Sequence, residues 1–337
     1  MYVKVSDKEW EEQILKSDNA YFFSSPTWAK IIEKSFDDYR IASRLYHIND
    51  KSILIPMMEK NTYGRTIPGF KLFDSMPMGP GGLFSESEIT TDDFRCLVEN
   101  IIGSRHIFYL ALPYFMDLSY SDNSIKVRHE WNVKDERNYT HILSLDGKDF
   151  EDVQKNYKKR TRNSITKAIR SGVETRDATS LNDFKEFYEI WSTASKNWDA
   201  QETYDFGFFK NLYKFGFPQV KLSLASIDEK TIAGIIAFFY SKTIYYIFSS
   251  FNESYSTFNA TSLLLNNLIK KACQKNIYKY INFGSSGTNE GLKKFKEGFG
   301  AEKKVKKRYL ASSTFPRIIQ RINNPFPNLL HFKIKTF

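Results

Sequence analysis

Apolar residues recur at helical spacing near the start of the chain. Trp10, Ile14 and Leu15 follow Asp7, and Trp28, Ile31 and Ile32 follow Pro26. Two helices are therefore expected, the first capped by Asp7. Strand-like runs come next, Tyr39 to His47 and Ser52 to Glu59, parted by the turn residues Asn49 and Asp50. The stretch Met76-Pro77-Met78-Gly79-Pro80-Gly81-Gly82 reads as a shaped loop, because proline removes donors and glycine admits positive φ. A helix from Thr91 to Ile102 and a strand from His106 to Leu112 complete a first α/β unit.

The second half repeats this grammar. A strand at Tyr139 to Leu145 precedes one long basic helix, Asp149 to Arg170, and further helices are expected at Leu181 to Lys196 and Phe206 to Phe215. Strands at Lys221 to Ile227, Ile232 to Tyr240 and Thr243 to Ser250 form a meander. A helix (Thr261 to Gln274), a strand (Tyr278 to Phe283), a short helix (Glu290 to Glu297) and a last strand (Lys303 to Ala311) close the unit. This order is that of an acetyltransferase-like (GNAT-like) fold. The expected class is α/β (α+β), with two tandem domains, each a mixed, largely antiparallel sheet flanked by helices. The charged, turn-rich stretch Glu130 to Asn138 sets the boundary: residues 1–134, 135–311, and a segment 312–337 that packs back on the first domain or lies on an anionic membrane.

A length of 337 residues suits two domains of about 150 residues each. At 41% hydrophobic and 16% aromatic, the chain can fill two cores. Only Cys96 and Cys273 occur, in no CxxC pair, and the five histidines are scattered, which argues against a disulfide scaffold or a zinc site. The longest apolar run, Ile232 to Tyr240, is of strand length. With no apolar signal core at its start, the chain is expected to be cytoplasmic, with peripheral contact at the inner membrane face as the further option. A net charge of +10 favours polyanionic partners.

That charge concentrates on the basic helix. Val153, Tyr157, Ile165, Ala168 and Ile169 form an apolar stripe, and Lys155, Lys158, Lys159, Arg160, Arg162, Lys167 and Arg170 carry the other face. Gly172 stands where a left-handed C-terminal cap belongs. The plain reading is a solvated face. The run Lys158 to Arg162, however, has no interleaved acid, and an anionic partner would relieve its repulsion.

A second concentration of chemistry lies at Asn282-Phe283-Gly284-Ser285-Ser286-Gly287, followed by Gly291-Leu292-Lys293-Lys294-Phe295-Lys296 and Phe299-Gly300-Ala301. Glycine-freed N–H groups, a helix start and nearby lysines make either an anion site or a plain turn with surface lysines.

This segment resembles the C-terminal signature of FemAB-type transferases: an Asp-Phe-Gly-like turn, then Gly-Leu, Phe-Lys and Phe-Gly-Ala. Three other stretches are similar to that family in the same order, Phe22-Phe23-Ser24-Ser25 with Trp28-Ala29-Lys30, Met78 to Gly82, and the basic helix ending in Gly172-Val173. The resemblance implies two acetyltransferase-like domains that join an acyl or aminoacyl group to a primary amine of a phosphate-bearing acceptor in cell-envelope biosynthesis, of peptidoglycan or polysaccharide. The donor would be a co-substrate, aminoacyl-tRNA or acyl-CoA, with no bound cofactor, no metal and no protein partner. By resemblance Lys296 stabilises the oxyanion or holds the donor's phosphate, with its tip exposed in a cleft, and Phe295 packs beside it. Lys30 would meet the acceptor's phosphates, and Lys158, Arg160, Arg162, Gly284, Ser285 and Lys293 would bind substrate. Asn282 departs from the family's aspartate.

Two rivals stand beside that reading. An acyl-CoA-dependent N-acetyltransferase of a sugar or small amine would need a glycine-rich pyrophosphate loop, and Ser254 to Ala260 has no glycine. A non-catalytic RNA- or membrane-surface-binding protein would use the charge alone. Trp191, Trp198, Tyr245 and Tyr246 read as core, and Glu202, Asp205 and Glu253 are candidate bases that spacing does not separate.

Overall fold

Ser6, rather than Asp7, caps the first helix, because its hydroxyl accepts the Glu9 N–H while Glu9 reaches back to the Ser6 N–H. The structure, a computed structural model, describes residues 2–17, 20–60, 71–102, 107–111, 139–196, 204–305 and 308–312. The expected boundary segment at 130–138, the tail from 313, Trp198 and Glu202 lie outside the described residues. The chain divides into two compact units, Met1–Asn138 with Val305–Thr336, and Tyr139–Lys304. Among the described residues, no helix is long and apolar enough to cross a membrane.

The first unit opens with β1 (Tyr2–Lys4), α1 (Asp7–Leu15) and α2 (Pro26–Ser35). Each of the two expected strand runs then breaks in the middle. The first becomes β2 (Tyr39–Ile41) and β3 (Arg44–Ile48), and the second becomes β4 (Lys51–Ile55) and β5 (Met58–Lys60). The Ser43 hydroxyl accepts the Met57 N–H at 3.1 Å, and the Ala42 N–H donates to Met57 O at 2.9 Å. At this crossing the chain changes sheet. β3 and β4 pair in a three-stranded sheet ordered β1-β3-β4. β2 and β5 join β6 (Leu72–Asp74), β7 (Ile107–Ala111) and the last strand, β15 (Arg308–Ser312), in the order β15-β7-β6-β5-β2. Helix α3 (Thr91–Ile102) supplies Phe94, Leu97 and Val98 to a core shared with Ile53, Ile55, Phe73 and Phe108.

The second unit holds one seven-stranded sheet. Its elements are β8 (Tyr139–Ser144), α4 (Phe150–Lys155), α5 (Lys159–Arg170), β9 (Glu174–Asp177), α6 (Leu181–Ser195), α7 (Phe206–Gly216), β10 (Val220–Ile227), β11 (Lys230–Tyr240) and β12 (Thr243–Phe251). α8 (Ala260–Lys275), β13 (Tyr280–Asn282), α9 (Glu290–Gly298) and β14 (Glu302–Val305) complete it. The strand order is β14-β8-β13-β12-β11-β10-β9. The meander β10–β12 turns through Asp228-Glu229 and Ser241, at positive φ as two-residue hairpins require. Trp191, Phe208, Phe209 and Phe248 pack as aromatic neighbours on one face, and α8 buries Leu264, Leu265 and Leu268 in the core on the other. Trp191, Tyr245 and Tyr246 are buried as expected of core residues. Asp205 caps the start of α7 by accepting the Phe208 N–H, so its carboxylate is committed to the helix N-terminus.

Two expectations are corrected in this unit. The single basic helix is two. Lys158 adopts an extended conformation (φ −64°, ψ 149°), and its N–H donates to Gly298 O at 2.8 Å. Tyr157 turns its ring into the core against Phe299, 5.1 Å between centroids, and the Arg162 guanidinium donates to the Tyr157 carbonyl that the break releases. Ile169, counted in the apolar stripe, is exposed. α5 does end as expected: Gly172 has φ +73°, Val173 N–H meets Ala168 O and Gly172 N–H meets Ile169 O. The strand expected over Lys303–Ala311 is also two, β14 in this sheet and β15 in the sheet of the first unit.

The end of α9 lies against the start of α5. A Cβ on Gly298 would stand 2.4 Å from Thr161 Oγ1, and Thr161 is itself buried. Gly298→Ala is expected to cost roughly 1–3 kcal/mol by overpacking. Adding Thr161→Ala should recover most of that loss, as read from urea denaturation midpoints of the two variants.

Candidate active site

The site begins where two parallel strands part. β12 and β13 pair only over Thr243↔Tyr280, Ile244↔Ile281 and Tyr245↔Asn282. Beyond that point β12 runs on to Phe251 with a bulge opposite Ile236 and Ala237, while β13 stops and the chain enters Phe283-Gly284-Ser285-Ser286-Gly287. Tyr246 and Phe283 fill the base of the wedge, 5.7 Å between ring centroids.

The glycine–serine loop is tied from several sides. Asn282 Oδ1 accepts the Gly284 N–H at 2.9 Å and the Thr140 hydroxyl at 2.5 Å. An amide oxygen serves this turn as well as a carboxylate would, which explains the asparagine here. Gly284 and Gly287 take φ of +68° and +53°, and Tyr139 donates its hydroxyl to Gly287 O at 3.1 Å. From α9, whose first turn Asn289 caps, Lys296 Nζ donates to Ser285 O at 2.6 Å and to Gly284 O at 3.3 Å. The Lys296 tip is therefore not exposed in a cleft as expected, since the residue is only 2% exposed. The two carbonyls draw it beneath the loop. In a trans peptide C=O and N–H point in opposite directions. Carbonyls of residues 284 and 285 aimed at Lys296 thus turn the N–H groups of Ser285 and Ser286 to the other side.

Beside this loop sits His141, a residue that sequence reasoning missed. Its N–H donates to Gly284 O at 3.1 Å and its carbonyl accepts from Phe283 at 2.8 Å. The ring is fully buried, packed edge-on against Tyr139, and neither nitrogen has a hydrogen-bond partner. Glu297 Oε1 is 3.9 Å from Nε2. Burial first, then the positive charges of Lys296, Lys303 and Lys293, push the imidazole down to about 4 against the opposing pull of Glu297. His141 is neutral at pH 7. Ser286, also buried, has no partner for its hydroxyl.

Other expected site residues fall into two groups. Phe295 packs on Phe299 at 5.3 Å, Lys293 pairs with Glu290 at 3.3 Å, and Lys158 pairs with Glu297 at 3.5 Å, so α9 gathers them with Gly284, Ser285 and Lys296. Arg160 and Arg162 stand exposed on the first turn of α5. Lys30 belongs to the first unit, exposed on α2. There the two N-terminal motifs prove to be one feature. Trp28 Nε1 donates to Pro77 O at 3.0 Å and Ser24 Oγ to Gly81 O at 2.9 Å. A Cβ on Gly79 would lie 2.2 Å from the Phe23 ring, so only glycine lets the loop approach this closely. Asp74, where β6 runs into that loop, is pushed up to about 7 by burial, although the Met76 N–H and Lys60 oppose the shift.

In the stretch without glycine, three backbone amides are committed locally. Ser254 N–H meets Asn252 Oδ1, Tyr255 N–H meets Asn252 O, and Asn259 N–H meets Ser256 O. Glu253 opens this short helix and is exposed.

Residues 155–297 match the family model described as an acetyltransferase (GNAT) domain. Among solved structures, FemX superposes with a TM-score of 0.72 at 12% identity, covering 96% of this chain and 99% of FemX. The chain has the FemAB-type fold. The C-terminal domain of a protein assigned as a lysylphosphatidylglycerol synthetase from Agrobacterium fabrum is also similar, with a TM-score of 0.56 at 11% identity over 95% of this chain and 96% of that one. A conserved protein of unknown function from Bacteroides thetaiotaomicron gives 0.54 at 13% identity, over 92% and 98%. No curated protein sequence matches the chain. In this FemX-like fold the matched model spans α5, the meander, the splayed pair and the glycine–serine loop.

Two outcomes are expected from the site's geometry. Lys296→Ala leaves the buried Ser285 carbonyl without its donor and should cost about 1–3 kcal/mol, read as a fall in the urea midpoint. Folded His141 binds a proton only below about 4, whereas the unfolded residue binds one below its ordinary value of 6.5. Stability therefore falls as pH drops from 6.5 towards about 4. The thermal midpoint of wild type relative to His141→Gln should decline across that window and level off below it.

Proposed function

We propose that this chain is an acyl- or aminoacyl-transferase acting on a primary amine of a phosphate-bearing acceptor in cell-envelope assembly. The observation that carries the reading is the splayed β12–β13 pair, with the glycine–serine loop held at its mouth by Lys296. The match of residues 155–297 to an acetyltransferase domain supports the reaction class. The acceptor and the envelope role rest on likeness to FemX and to the Agrobacterium fabrum domain.

Amine attack on an activated carbonyl puts negative charge on its oxygen. The N–H groups of Ser285 and Ser286 form a pair of fixed donors for that oxyanion, and Lys296 behind them adds positive charge that need not reorganise during the reaction. Phe295 walls the same end of α9, and Lys293, Lys158, Arg160 and Arg162 offer charge to phosphates of donor or acceptor. Lys30 is the acceptor-phosphate contact carried by the first unit. With an ester donor, the leaving oxygen collects the proton released by the attacking amine. An aminoacyl ester is favoured over acyl-CoA, because the stretch after β12 has no glycine and the amides of Ser254, Tyr255 and Asn259 are already bonded within their own turn.

The test is transfer from a panel of aminoacyl-tRNA and acyl-CoA donors to amine acceptors, read out by mass spectrometry. Lys296→Met, assayed on protein shown folded by near-ultraviolet dichroism, should slow transfer by about 100-fold or more. Lys293→Ala should raise KM with a smaller effect on kcat. Full activity in folded Lys296→Met would remove the catalytic assignment, and absence of transfer from every donor would remove the reaction class.

A further inference from the structure

The second unit contains a cavity that the proposed chemistry does not use. It lies between the C-terminal half of α8 and strands β9, β10 and β11, with a volume of about 280 Å³. Its lining comes from β9, β10, β11, α8 and Tyr278, and none of it from β12, β13 or the glycine–serine loop that form the splay. Along β11 it runs from Ile235, which pairs with Ser249, to Phe239, which pairs with Ile244.

Alternation along β10 explains why this space is open. Val220, Leu222 and Leu224 are buried on one face, while Lys221 and Ser223 point to the face that α8 covers. An exposed lysine and a serine cannot fill the gap beneath a helix as leucines would. Polar side chains bridge α8 to the edge strand instead. Asn267 Nδ2 donates to Thr175 Oγ1 at 3.0 Å, and Lys271 Nζ meets Asp177 at 2.8 Å, a carboxylate that also accepts the Ser223 hydroxyl at 2.8 Å. The floor is apolar, from Ile235, Ala237, Leu268 and Ala272, and one wall is aromatic, Phe239 against Tyr278 at 5.6 Å between centroids.

The charges around it do not cancel. Asp177 is the one carboxylate among the lining residues; Lys271 pairs with it and Lys221 lies within reach of its charge, so the lysines outnumber it. Arg176 is turned to Asp183 and Glu186. Lys221, with Nζ 5.1 Å over the Phe239 ring, and the exposed Lys275 remain as surplus positive charge at the rim. An apolar, partly aromatic slot with a cationic rim, near the lower end of the size range for small-molecule sites, matches one chemistry.

We propose that this slot binds a small anionic amphiphile, a carboxylate or phosphate on a flat apolar body. The body lies on the Ala237–Ala272 floor between α8 and Phe239, and the anion meets Lys221 and Lys275. This site is separate from the transfer site and does not depend on the reaction assigned to it.

The experiment is calorimetric titration of the full chain with 2-naphthoate, its neutral counterpart 2-naphthamide, and inorganic phosphate, with amide shifts recorded by NMR. The expected result is saturable one-to-one binding of naphthoate, at least tenfold weaker binding of the amide, and no saturable binding of phosphate. Shifts should concentrate at Ala237, Phe239 and Ala272. The exposed pair Lys221→Glu/Lys275→Glu should weaken naphthoate at least tenfold while leaving the thermal midpoint near wild type. Any of three results would overturn the proposal: no saturable naphthoate binding at millimolar concentration, equal affinity for the amide, or phosphate binding as tightly as naphthoate. Affinity unchanged by the charge reversal would do the same.

Discussion

A buried ammonium group organises the second unit. Burying a lysine is costly unless its N–H donors find acceptors, and Lys296 finds them in the carbonyls of Gly284 and Ser285. Carbonyl dipoles hold an ammonium without cancelling its charge. The contact therefore does two things together: it fixes a loop whose glycines could otherwise adopt many conformations, and it keeps positive potential beneath that loop's N–H groups. Neighbouring features gather around it. His141 is held neutral by burial and by this charge, Glu297 stands 3.9 Å from His141 Nε2 and pairs with Lys158, and the basic segment breaks at Lys158, whose N–H reaches Gly298.

Much of this could be read from residue order. The meander, its hairpin turns, α8, α9 and the cap at Gly172 follow from period, turn residues and glycine placement, and the structure has them within a residue or two of the expected limits. What escaped was decided by contacts remote in sequence. Nothing local in Asp149–Arg170 breaks that helix. The break comes from Gly298, well over a hundred residues later, and from the burial of Tyr157. Similarly, the runs Tyr39–His47 and Ser52–Glu59 look continuous, but the crossing of Ala42–Ser43 with Met57 divides each between two sheets.

The site was legible in outline through the glycine–serine loop and Lys296, and was misread in detail. Nothing in the composition of α9 tells an exposed lysine from a buried one, because the distinction depends on carbonyls eleven and twelve residues earlier. His141 carries no motif. The one available signal was its place in the strand expected at Tyr139 to Leu145, and a lone histidine in a strand is a weak signal.

The passage from β14 to β15 has a consequence for how the protein is made. β14 completes the sheet of the second unit, and only two residues later β15 adds the edge strand beside β7. The first unit is thus assembled from both ends of the chain, with the second unit lying wholly between. As the polypeptide leaves the ribosome, the earlier segment must wait for its final strand until the whole of the later unit has been synthesised. The unit that comes second in sequence is the first to have all its pieces at hand.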